Sequence, residues 1–159
     1  MADFSRLVAN WHRWAPWMGG GEISATTDCD DYKIAFSSGD YSVHLRHDAT
    51  WWIVDAVDDR GQLHTDTAKL STFDLTEKYL IWNWASIARG VLGARRLAPE
   101  LYAQGFSADV EATPISEGIF KLRSQSGNAI LMEPYATIFS HLISKSVDEI
   151  ERMVTAGLG

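Results

Sequence analysis

The chain has 159 residues, a mass of 17.7 kDa, 46% hydrophobic and 22% charged residues, and a formal net charge of −7. That composition excludes a disordered chain, which needs fewer apolar residues and more net charge, and the length suits a single domain over residues 1–159 with a sizeable core. The lone Cys29 excludes an intrachain disulfide. The opening residues lack a signal peptide's basic and apolar regions, and no apolar run reaches the ~20 residues that span a bilayer, so a cytoplasmic location without membrane contact is expected.

Residues 3–15 read as a helix. Phe4, Leu7, Val8, Trp11 and Trp14 recur at helical spacing, Asp3 can cap the start, and Pro16 with Gly19-Gly20-Gly21 ends it. The glycine run follows a helix rather than lying between strand and helix, so it reads as a hinge or loop and not as a phosphate-binding turn. Residues 22–70 read as a meander of short strands. Tyr32–Ser37, the alternating Tyr41–Arg46, the aromatic and β-branched Trp51–Val57, and Gln62–Leu70 are separated by Ser38-Gly39-Asp40 and by Asp58-Asp59-Arg60-Gly61, both turn chemistry.

A long helix is expected over 74–92, with Asp74 and Glu77 at capping-box spacing and Gly93 as its stop. It carries Leu75, Tyr79 and Trp82 on one side and Leu80, Trp84, Ile87 and Val91 on another. Such a helix is buried on two sides, between the meander and the C-terminal half. Strands near 110–113, 119–123 and 128–132 follow. Two C-terminal helices complete the chain, one opened by Pro134 and one by the capping box Ser146-Val147-Asp148-Glu149, ending at Gly157. The expected class is α+β: a mainly antiparallel meander packed on a long central helix, with an N-terminal helix and two C-terminal helices.

The charge is not spread evenly. Between Glu22 and Asp66 ten acids face only Lys33, Arg46 and Arg60, which accounts for the whole −7; the rest of the chain is balanced. A field of that sign repels phosphate and anionic lipid and attracts a basic partner. Solubility is the plainer reading of the same acids, since strand turns are often acidic. Seven tryptophans belong mostly in the core. Trp17 lies past the helix end, however, and one ring of the pair Trp51-Trp52 must point away from the other on a strand. An exposed tryptophan beside acidic turns has the make-up of a protein-binding patch. The candidate contact residues are therefore Trp17, Asp28, Asp30, Asp31, Trp51, Asp58 and Asp59.

No catalytic or metal-binding pattern emerges. His44 and His47 should face opposite sides of a strand, and the other histidines lack ligand spacing. Asp28, Asp30 and Asp31 resemble the start of a calcium loop, but Lys33 and Gly39 stand where Gly and Glu are required. Cys29 could act as a nucleophile only beside a histidine that the sequence does not place. The last two helices have a helix-turn-helix outline, but the second carries Asp148, Glu149 and Glu151 against Arg152, the wrong sign for nucleic acid.

Glu77-Lys78-Tyr79-Leu80 after a meander containing Trp51-Trp52 resembles immunity protein family 61 of bacterial polymorphic toxin systems. Ser126-Gly127 in a turn, Phe139-Ser140-His141-Leu142 and Ser146-Val147-Asp148-Glu149-Ile150 agree with it. That family is similar to the mycobacterial immunity factor that neutralises an NAD-hydrolysing necrotizing toxin. The resemblance implies a cytosolic antitoxin, not an enzyme, that binds and occludes a cognate protein toxin, with toxins of the NAD glycohydrolase type among the candidates. It implies no cofactor and no metal, and a monomer or weak dimer when free. A secretion chaperone or scaffold, and a small enzyme with a pocket between meander and helix, are the alternatives.

Overall fold

The computed structural model describes residues 2–29 and 31–158; Asp30 and the side chain of Cys29 lie outside the description. Strong alternation and short turns produce the first half of the sheet. Ile23–Cys29 (β1), Tyr32–Ser38 (β2), Tyr41–His47 (β3), Trp52–Val57 (β4) and Leu63–Leu70 (β5) form a five-stranded antiparallel meander. Glu111–Ser116 (β6), Ile119–Ser124 (β7) and Gly127–Met132 (β8) form a second meander. It joins the first through β8 and β5, giving one sheet of order β1-β2-β3-β4-β5-β8-β7-β6. The helices are Ser5–Trp14 (α1), Phe73–Leu92 (α2), Ala98–Ala103 (α3), Tyr135–Ser140 (α4) and Val147–Thr155 (α5), so the class is α+β as expected. The short α3 is an addition to the expected elements.

Register decides which face is buried. Ile34 pairs with Leu45, Leu45 with Val54, Val54 with Ala68, and Ala68 with Leu131, and every one of them is buried. Residues paired across strands share a face, so this face is the one beneath the helices. The two meanders therefore do not sandwich α2 between them. They continue one another, and α2 lies on their common inner face with α1 and α5 packed on its other sides.

The helix is capped two residues earlier than Asp74, at Thr72. Thr72, in extended conformation, accepts the Leu75 N–H at 3.1 Å, and Gly93 closes the other end in the left-handed region. Asp74 instead pairs with Lys78 at 3.1 Å one turn on, and the buried Lys78 ammonium also donates to the Ile143 carbonyl at 2.9 Å. Tyr79, Trp82 and Trp84 are buried as expected. Ile87 and Val91 are not: they are 40% and 63% exposed, because no element covers that stripe.

The capping box of α5 forms as read from the sequence, Ser146 Oγ accepting from the Glu149 N–H and Glu149 from the Ser146 N–H. The acidic side of this helix is used inside the protein. Arg6 of α1 pairs with Asp148 and with Glu151, the latter at 2.6 Å, and Asn10 donates to Glu151 at 2.9 Å. That face is not free to enter a nucleic-acid groove.

Half-buried Glu77 on α2 is pushed up to about 7, first by burial, with the charges of Asp74, Asp3 and Glu151 adding to it and that of Arg6 opposing. A carboxylate raised in the fold binds its proton more tightly there than when unfolded. Its stability cost is absent below the unfolded value and complete above the folded one. Glu77→Gln is expected to raise the thermal midpoint near pH 8 and leave it nearly unchanged near pH 4. Parallel melts of both proteins at the two pH values measure this; an equal shift at both would mean that the side chain's shape matters and its charge does not.

Candidate functional site

The acids of residues 22–66 divide by what they touch. Asp48 and Asp58 serve their own turns. Asp48 Oδ1 accepts the N–H groups of Thr50 and Trp51 at 2.8 and 2.6 Å. Asp58 Oδ1 accepts those of Arg60 and Gln62 at 3.0 and 2.9 Å, while its Oδ2 meets His64 Nε2 at 3.0 Å. These bonds hold both carboxyls below the usual range, with the His64 contact the largest cause for Asp58. Asp55 is buried on the outer face of β4. Arg46 Nε donates to it at 2.8 Å and the Asp66 N–H at 2.8 Å, and Asp66 itself, at φ 53 in a β5 bulge, also holds Arg46. Glu22, Asp28, Asp31, Asp40 and Asp59 are exposed and make no ion pair among the described residues.

The outer face around Asp55 is a polar network. Tyr32 stands edge-on to His44 with ring centroids 4.5 Å apart, and His44 Nε2 meets Ser42 Oγ at 2.9 Å. Burial lowers the His44 imidazole below its ordinary range and is the main cause that raises the Tyr32 phenol. Both stay neutral at pH 7, and the Asp55 oxygens are already taken by Arg46 and the Asp66 N–H. His47 stacks on Trp52 at 4.4 Å beneath the sheet, so the two β3 histidines do face opposite ways. Among the described residues no three His, Cys, Asp or Glu side chains gather in a metal-binding group, and no helix is long and apolar enough to cross a membrane.

The predicted contact residues fall at two ends of the sheet. Asp28, Asp31 and Trp51 belong to the β1–β2 and β3–β4 turns, whereas Asp58 and Asp59 belong to the β4–β5 turn and lie near Trp17. Seven-residue strands separate the two ends by roughly 20 Å. Asp30 lies outside the described residues. At the first end Asp28 borders a cavity that also presents Lys33 and His47 beside the buried Trp52, so the acids there have basic neighbours. Trp51 is half-buried.

The second end is a groove. Trp17, Tyr41, Ala56, Asp59, His64 and Ile87 line a cavity of about 360 Å³. It runs on, through the shared Ala56 and His64, into a second of about 420 Å³ lined by Thr65, Thr67, Tyr79, Asn83, Met132 and Tyr135. The groove lies where the strand ends of β4 and β5 extend past α2. Its wall on α2 is the stripe Tyr79, Asn83, Ile87, one residue per turn. Trp17, Ile87, Met132 and Tyr135 are each 37–44% exposed along it.

Trp17 is held firmly there. It ends a short 3-10 turn, Ala15–Trp17, whose Ala15 carbonyl accepts from buried Ser38 Oγ at 3.2 Å. Gly19 and Gly21 follow, and a Cβ on either would stand 1.9 Å from the Ser38 carbonyl or 2.3 Å from the Gly39 Cα. The glycine run is therefore a close backbone contact with the β2–β3 turn and not a hinge. Trp17 and Asp59 are exposed at the groove and Asp58 is half-buried in its own turn, while Tyr41, His64, Ile87, Met132 and Tyr135, which also line the groove, are not among the candidates the sequence offers. Only the excess apolar width of α2 hinted at them.

A family model described as Immunity protein 61 matches residues 17–159, so α1 precedes the matched region. The solved structure of Rv3902c from M. tuberculosis aligns with 96% of this chain and 88% of its own at a TM-score of 0.72 and 17% identity, which shows a shared fold. No curated protein matches the chain.

Proposed function

The chain belongs to the Immunity protein 61 family, and from that premise we propose that it is an antitoxin that binds a protein toxin in the cytoplasm and covers the toxin's active-site cleft. The observation that carries this reading is the groove. It offers exposed aromatic and aliphatic side chains, with Trp17 next to a glycine run packed closely on the β2–β3 turn, and unpaired acids beside it. Pre-formed aromatic anchors with a charged rim are what a tight protein interface needs. An acidic surface complements a cleft that is basic because it binds an anionic substrate, and NAD, with its two phosphates, is a substrate of that kind.

Co-expression with a candidate cognate toxin domain is the direct test. Survival of the cells, co-purification of the pair, and loss of toxin activity on adding an equimolar amount of the pure protein are the expected results. Co-purification with toxin activity intact would replace the antitoxin reading with that of a chaperone.

A further inference from the structure

The groove has a chemistry more specific than apolar. Tyr41, Tyr79 and Tyr135 all border it, and none of their hydroxyls makes a hydrogen bond among the described residues. Each is close enough to affect another: Tyr135 helps raise the phenols of both Tyr41 and Tyr79, on top of a larger effect of burial. Asn83 adds an amide to the same wall, and Trp17 adds an indole at the mouth. Asp59 contributes a carboxylate without a partner. His64 is engaged by Asp58, and no lysine or arginine lines either half of the groove.

We propose that the groove is a receptor for a guanidinium group, an arginine side chain that the toxin presents. Aromatic faces attract a cation through their ring quadrupole, and the attraction grows as the cation is desolvated. Phenol oxygens and a side-chain amide oxygen can accept the hydrogen bonds that a planar guanidinium donates in several directions. The unpaired Asp59 supplies opposite charge at the rim, and the lack of any competing cation leaves that charge available. A carboxylate or phosphate ligand would find no positive partner there. The identity of the occupant rests on the antitoxin reading; the chemistry of the site does not.

The probe is a capped Gly-Arg-Gly tripeptide, set against its citrulline counterpart, which keeps the shape and loses the charge. Binding is read by NMR shifts of the Trp17, Tyr41 and Tyr135 ring resonances. The arginine peptide should bind about tenfold more tightly than the citrulline one, the ratio that roughly 1.4 kcal/mol of cation–aromatic and ionic attraction gives. Asp59→Asn, at an exposed carboxylate without a partner, and Trp17→Ala, with its folding checked by a melting curve, should each lose most of that preference. Equal shifts with both peptides, shifts confined to other surfaces, or none at millimolar concentration would overturn the proposal. If the peptide binds as expected but no candidate cognate toxin is neutralised, the receptor stands and the antitoxin reading fails. If the toxin is neutralised equally by wild type and by the Trp17→Ala, Asp59→Asn double variant, the toxin's arginine is not the occupant, and that half of the proposal falls.

Discussion

Replacing Trp84 with alanine should cost about 3–5 kcal/mol of folding stability, the range for deleting a fully buried large aromatic. Trp84 is 0% exposed, at the point where α2 meets both α1 and the sheet; its ring lies 5.0 Å from Trp11 and 4.9 Å from Phe36. Trp11 and Phe36 are themselves fully buried large rings, so little is free to move into the space left behind. Trp84→Phe should cost far less, because the indole Nε1 of Trp84 is buried without a partner and phenylalanine removes that unpaired donor along with the extra volume. Trp11→Phe should lie between the two: Trp11 Nε1 donates to the carbonyls of Ser24 and Ser37 at 3.0 and 3.3 Å, and both bonds would be lost. Urea unfolding followed by circular dichroism gives the three values. A loss under about 1 kcal/mol for Trp84→Ala would mean that the core does not centre on α2.

Much of this fold is legible in the sequence because its signals are local. The alternation in Tyr41–His47 sets β3, the Ser146 and Glu149 pair sets the start of α5, and Gly93 stops α2. In the sequence alone Asp74 has capping-box spacing to Glu77, whereas Thr72 is followed three residues later by Leu75, so the signal points to Asp74. A cap, however, is decided by which residue leaves the helical region, and that depends on where β5 ends at Leu70. The six-residue α3 has too few turns for a periodic pattern to be visible. The union of the two meanders depends on Lys69 pairing with Ile130, a contact that no local rule fixes.

The candidate site shows the same division. Exposure of Trp17 and of the Asp58-Asp59 turn could be read directly, but their grouping apart from Asp28, Asp31 and Trp51 could not be read from charge density. One further rule would have found it. In an antiparallel meander successive turns alternate between the two ends of the sheet, so the β1–β2 and β3–β4 turns lie opposite the β2–β3 and β4–β5 turns. The exposed stripe of Ile87 and Val91 was hidden for another reason. An apolar helix face looks the same in sequence whether the fold or a partner covers it.

Association with the toxin should be fast at low salt and slow at high salt, and the effect should belong to one end of the sheet. Raising the ionic strength from about 0.05 M to about 0.5 M should cut the association rate by about tenfold or more, since charges at a rim act on encounter and are screened beyond a Debye length. Neutralising Glu22, Asp40 and Asp59 together, all exposed at the groove end, should reproduce much of that loss at low salt. Asp58 is left alone because it holds its turn. Neutralising Asp28 and Asp31 should slow association less, because Lys33 already tempers that end. Trp17→Ala should act on dissociation instead. An anchor ring lost from a desolvated contact costs about 2 kcal/mol or more, a complex roughly thirtyfold shorter-lived. Surface-immobilised toxin read at two salt concentrations separates the two rates. Equal slowing by both charge variants would show that the toxin spans the outer face of the sheet from end to end. An association rate indifferent to salt and to both variants would leave the acids as a solvated surface and move the contact to the exposed flank of α1.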